Sequence, residues 1–320
     1  MKKNLLFKLL LLLIFILKSK TILLPSEYKC WGYEDDCNSN LSYSFSKIKC
    51  KKDTTAETKK IFFNQGDFGY IKPHISSLAS ICDSGDNING SYLECSNHLR
   101  FCLGRNIYFD LKSLNIKTTK RYKDDVIHAG EVGGNCKVNF DNKLLKRRVD
   151  EKSFLQSWGS ELEHFESYDT FNVDNHNCDV IFDKPTVIIK LDASVNLYHH
   201  FCDFLNLYAS QHINKTFDKN IDILWWDTSA QGYIDETFGS VWKVFSNNKP
   251  KELIHYAGKK LCFKNAMFPL LARQIFGLFY NTPIVEGCSG TGLFDSFNIH
   301  LMERLNITQN GPILNKMRKK

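Results

Sequence analysis

The residues from Leu191 to Phe204 read Leu-Asp-Ala-Ser-Val-Asn-Leu-Tyr-His-His-Phe-Cys-Asp-Phe and hold the densest polar chemistry of the chain. His199 and His200 precede Asp203 by four and three residues, a spacing that brings side chains together on one face of a helix. A carboxylate so placed can accept an imidazole N–H, fix the ring's tautomer and raise its basicity, as a general base requires. Either histidine meets the spacing. The same geometry would supply two ligands of a metal site, but no third ligand stands nearby in sequence. Polar groups that satisfy one another on an interior helix face are the plainer alternative.

The hydrophobic pattern sets the elements that must position these groups. Thr186-Val-Ile-Ile-Lys-Leu191 is rich in β-branched residues and reads as a strand. Leu197, Phe201, Phe204, Leu205 and Tyr208 then recur at three- and four-residue steps, the core face of a helix from Ser194, its expected cap, to about Ile213. Asn196 and Asn206 fall on the polar face with the histidines. Further strands are expected at Cys178–Phe182, Ile221–Trp226, Glu252–Tyr256 and Lys260–Phe268, with helices at Glu236–Ser246 and Gly292–Leu305. Such alternation builds an α/β fold with a mostly parallel sheet. Its ligands sit at the carboxyl ends of the strands, which is where the histidine stretch begins and where Asp227 follows Trp226.

A chain of 320 residues with 43% hydrophobic content has room for two domains. Lys2 and Lys3 followed by the nine apolar residues Leu9–Leu17 read as a signal peptide over residues 1–21. The run is shorter than the ~20 residues of a spanning helix, so no stable membrane span is expected. Residues 22–152 form a cysteine-rich region with Thr55–Phe63 helical and Arg105–Leu111 extended, and residues 153–320 form the α/β part. Of the 11 cysteines, most are expected in disulfides, including those at the Cys30/Cys37 and Cys95/Cys102 spacings, with Cys202 left as a buried free thiol. Acceptor patterns for N-linked glycans occur at Asn40, Asn89, Asn214 and Asn306. The formal charge of +7 is scattered among acidic residues, which argues against nucleic acid as a partner. Glycine fingerprints for dinucleotides or nucleoside triphosphates are absent, as is the Gly-x-Ser-x-Gly elbow of hydrolases.

Ordered blocks carry a further signal: Lys29–Glu34, Gly66–Tyr70, Gly130-Glu-Val-Gly-Gly134, Leu155-Gln-Ser-Trp158, Lys190–Phe204, Trp226-Asp-Thr-Ser229, Gly277–Pro283 and Arg304–Gln309. Together they resemble the EGF domain-specific O-linked N-acetylglucosamine transferases of glycosyltransferase family 61. The resemblance implies an inverting protein O-GlcNAc transferase of the endoplasmic reticulum lumen. It would move N-acetylglucosamine from UDP-GlcNAc to Ser or Thr hydroxyls of folded EGF-like domains. It also implies that residues 153–320 are the N-terminal Rossmann-like half of a GT-B-type enzyme, preceded by a disulfide-containing α+β region. On that reading His199 or His200 is the base and Asp203 its orienter, while Asp192, Asn196 and Asp227 line the substrate cleft.

Two departures accompany the resemblance. The family continues past the block at Asn306 into a second half with a His-Gly-Ala-Gly loop and a retention tetrapeptide, whereas this sequence ends at Lys320, so impaired activity is expected. Phe245–His255 lacks the Asp-Tyr-Asp triplet that relatives carry before Ile-His, which weakens the case for a divalent metal. The alternatives are an inactive lumenal protein that binds EGF-like folds and a metal-dependent hydrolase using His199, His200 and Asp203.

Overall fold

The computed structural model describes residues 49–115, 117, 126–149, 156–192, 196–226, 239–274, 277–278 and 287–307. The signal segment, Cys30, Cys37, Asn40, Ser194 and Asp227 lie outside the described residues. In chain order the elements begin with β1 (Lys49–Cys50), α1 (Ala56–Gly66), α2 (Ile71–Ser76), β2 (Ala79–Asp83), β3 (Tyr92–Cys95), β4 (Cys102–Asp110) and β5 (Val132–Gly134). Next come α3 (Asn142–Arg148), α4 (Gly159–Leu162), β6 (Phe165–Ser167), β7 (Val180–Phe182), β8 (Thr186–Ile189) and α5 (Leu197–Asn214). The last are β9 (Asp222–Trp225), α6 (Ser240–Trp242), β10 (Lys251–Glu252), β11 (Lys260–Phe268), β12 (Cys288–Ser289) and α7 (Gly292–Arg304).

Ten of the strands form one mixed sheet whose main path runs β10-β9-β8-β11-β4-β3-β2. One flank is parallel: β10 with β9, β9 with β8, and both β8 and β7 with β11. The other flank is antiparallel, β2 to β3 to β4, with β5 also antiparallel to β4. The two flanks join where β11 pairs antiparallel with β4, from Lys260 opposite Asp110 to Phe268 opposite Cys102. Every residue of β8 and β9 is buried, which explains why their sequences are near-continuous apolar runs. A single core cluster draws Leu93, Phe109 and Trp158 together with Phe182, Ile188 and Phe263, so residues from both sides of position 152 share one interior. Gly133 and Gly134 fit a place with no room for a side chain, since a Cβ would strike the Glu166 carbonyl and the Ser91 side chain respectively.

Disulfides join Cys50 to Cys288, Cys82 to Cys136, Cys95 to Cys102 and Cys178 to Cys262, while Cys202 is a buried free thiol. Two expected elements differ. Glu252–Tyr256 is a strand only at its first residue; Leu253–Tyr256 is a 3-10 turn, because Leu253 dives into the core. The described part of the expected Glu236–Ser246 helix is the short α6 followed by turns closed by Val244 and Phe245 N–H bonds to Val241 and Trp242 carbonyls. Tight turning puts Trp242 and Phe245 against Phe204 of α5 at ring separations of 4.8 and 5.8 Å. No helix among the described residues is long and apolar enough to cross a membrane.

Candidate active site at the carboxyl end of strand β8

Helix α5 starts two residues later than its pattern predicts. Asn196 is the cap: its side-chain oxygen accepts from the backbone N–H groups of Tyr198 and His199 at 3.0 and 3.3 Å. Its exposed side chain is therefore engaged by the helix it opens. At the far end Lys215 closes the helix in the left-handed region, φ 54°, donating its N–H to Gln211. Leu197, expected in the core, is 57% exposed and Phe201 only half-buried. From His200 onward the helix is buried on nearly every side.

The structure brings a second carboxylate, Asp192, onto an imidazole. His199 Nδ1 lies 2.5 Å from Asp192 Oδ2. The other oxygen, Asp192 Oδ1, accepts from Arg273 Nε. The Asp192 side chain is 1% exposed, against 23% for His199 and 41% for Arg273, so a buried anion is flanked by two groups that reach solvent. Asp203 acts one step back: its two oxygens accept the backbone N–H of Asp192 at 3.0 and 3.2 Å. Its position nearly two turns into α5 brings it to the end of β8, and it positions the peptide that carries the first carboxylate. In the neutral His199 ring, Nδ1 holds the proton donated to Asp192, and Nε2 is the basic nitrogen.

His200 faces the other way. It is fully buried, edge-on to Phe204 at 4.6 Å and to Trp242 at 5.5 Å between ring centroids. Among the described residues no group of three His, Cys, Asp or Glu side chains is placed to hold a metal ion. Burial, reinforced by the charges of Asp203 and Asp192, pushes the Cys202 thiol up to about 12, so it is no nucleophile.

Two buried anchors hold this corner. Lys190, at the end of β8, places Nζ 2.6 Å from Glu161 Oε2 and 3.1 Å from the Ser157 carbonyl, with its charge 4.7 Å from the Trp158 ring. The segment bearing Arg273 is fixed by its neighbour Gln274, which donates to the Arg100 carbonyl at 2.9 Å and accepts from the Tyr70 hydroxyl at 3.1 Å. Arg273 had no local sequence signal, since it lies 81 residues from Asp192. Lys190 did have one: a cation inside an apolar strand must have a buried partner. Of the glycan acceptor patterns, Asn89 and Asn306 are exposed and Asn214, the last residue of α5, is half-buried.

A cavity of about 480 Å³ lies elsewhere, lined by Gln211 and Asn214 at the opposite end of α5. At 1.5 Å per helical residue it is roughly 22 Å along the axis from His199.

Taken together, these features define a disulfide-stapled α/β protein with a carboxylate-held histidine at the carboxyl end of a parallel strand. No family model matches the chain. It is 41% identical over 293 residues to the EGF domain-specific O-linked N-acetylglucosamine transferase of Bos taurus, covering 90% of this chain and 55% of that one. It is 42% identical over 296 residues to the protein of that name from Gallus gallus, covering 90% and 54%. With the Drosophila melanogaster protein it shares 41% identity over 294 residues, covering 88% and 55%. Over the matched residues the chain is a homologue of the EGF domain-specific O-linked N-acetylglucosamine transferases, and it spans about half the length of these curated relatives.

Proposed function

We propose that the chain supplies the acceptor-side, Rossmann-like half of a GT-B-type protein O-GlcNAc transferase, with His199 as the general base. The observation that carries this is the 2.5 Å His199–Asp192 pair at the carboxyl end of β8, in a homologue of transferases named for EGF domains. In the proposed reaction His199 Nε2 takes the proton of a Ser or Thr hydroxyl on an EGF-like domain. The hydroxyl oxygen bonds C1 of N-acetylglucosamine as the bond from C1 to the phosphate of UDP-GlcNAc breaks, and UDP leaves with the electron pair. Asp192 keeps the base in the correct tautomer and stabilises the imidazolium, and Arg273 donates to that carboxylate and holds it in place. Asn196 belongs to the cleft wall on this reading. The disulfides are consistent with a lumenal setting and support the endoplasmic reticulum as the site of action.

The test uses a full-length relative, such as the Gallus gallus protein, with the histidines aligned to His199 and His200 changed to Ala separately. The first variant should lose about 10²–10⁴-fold in transfer to a folded EGF module while remaining folded. Transfer at the unaltered rate by that variant would refute the assignment.

A further inference from the structure

The cavity at the far end of α5 is a built site distinct from the His199 corner. Its floor is the sheet: Leu103 and Val187 both stand opposite Met267, and Tyr92 and Asn265 both stand opposite Arg105, so these cross-strand partners share one face. Its roof is Gln211 and Asn214. The volume, about 480 Å³, lies within the range of small-ligand sites. Gln211 is 3% exposed, and its side-chain oxygen has no hydrogen-bond partner among the described residues. A buried acceptor without a donor is destabilising, so a ligand that brings a donor is favoured. Arg105 and Asn265 are exposed, which leaves the cavity open on that side.

Asn214 belongs to the acceptor pattern Asn214-Lys-Thr216, and both Asn214 and Thr216 line this cavity. We propose that the cavity seats the first N-acetylglucosamine of a glycan carried by Asn214 of the same chain. Attachment forms a bond from Asn214 Nδ2 to C1 of the sugar. The bond from C1 to the pyrophosphate of a lipid-linked oligosaccharide breaks, the lipid pyrophosphate leaves with the electron pair, and the Nδ2 proton passes to a base of the transferring enzyme. In the seated sugar the acetamido methyl lies on Leu103, Val187 and Met267, the acetamido N–H donates to Gln211 Oε1, and the remaining sugars leave past Arg105 and Asn265. The inference rests on the secretory route proposed above, not on the identity of the base.

The experiment expresses the full chain in a secretory host and follows glycan release from the native protein by peptide N-glycosidase, site by site, in ¹⁸O-water with mass spectrometry. Asn214 is expected to be occupied and to release its glycan at least about tenfold more slowly than Asn89 or Asn306, the difference vanishing on denaturation. Leu103→Trp, which fills the floor, should abolish the protection; if it does not fold, Gln211→Ala should reduce it. Asn214 bare while Asn89 or Asn306 is modified, or releasing as fast as they do, overturns the seat and leaves the secretory route standing. No glycan at any position overturns both.

Discussion

Helix α5 has two regions built on opposite physics. Its amino end exposes Leu197 and Tyr198 and sets His199 against the buried Asp192 carboxylate. Its body is sealed: His200, Phe204 and Tyr208 pack in an aromatic cluster with Trp242, Phe245 and Phe297. Neighbouring histidines therefore have different work, one in a position to accept a proton and the other filling volume. The contrast sets a polar, partly exposed corner where the strand ends against a packed aromatic body behind it.

The comparison can be broken most severely at its anchor. Glu161→Ala leaves the Lys190 ammonium buried without its anion, and a loss of about 3–5 kcal/mol is expected in urea unfolding, with Glu161→Gln milder. A wild-type midpoint for Glu161→Ala would mean that the pair does not support the corner. Next in size, His200→Ala should cost about 2–5 kcal/mol as a buried ring is lost, whereas His199→Ala should cost less, about 1.5–3 kcal/mol, the worth of one hydrogen bond to a charged group. Equal losses in the two unfolding curves would erase the distinction drawn here.

A further effect is on pH dependence and concerns the buried histidines. Burial lowers His212 to about 3, and burial together with the Arg100 charge lowers His74 to about 4. Both rings stay neutral in the fold while the unfolded chain takes up protons below about 6.5. Stability should then be level above pH 6.5 and fall as pH drops from there toward 4, by up to about 1.4 kcal/mol per pH unit per histidine. His212→Phe, placed among Phe68, Tyr208 and Phe217, should flatten the slope. Thermal unfolding between pH 4 and pH 8 reads it, and an unchanged slope would deny His212 its part.

Much of the frame was legible because local pattern determined it. The strands β8 and β9 are apolar runs since both faces are covered, and the three- and four-residue rhythm of α5 marked its core side. Cys202 among aromatics is, as expected, a buried free thiol. What local pattern could not carry was any contact made across the sheet. The pairing of β4 with β11 joins segments about 158 residues apart. Spacing on a helix nominated Asp203 for the histidine, and it could not show that the end of β8 brings Asp192 to His199 or that Asp203 accepts the Asp192 backbone amide. Arg273 entered only through the fold. Helix α6 and the turn after β10 were misread as longer elements because Trp242, Phe245 and Leu253 are apolar at periodic spacing yet are buried through tight turns.

The tautomer of His199 is the most direct test of the account. In ¹⁵N-labelled chain at neutral pH, imidazole ¹⁵N shifts and ring coupling patterns should show the proton on Nδ1 and an unprotonated Nε2, and Asp192→Asn should disturb that preference while the His200 signals stay as they were. A ring protonated on Nε2 in the unaltered chain, or one indifferent to Asp192→Asn, would contradict it.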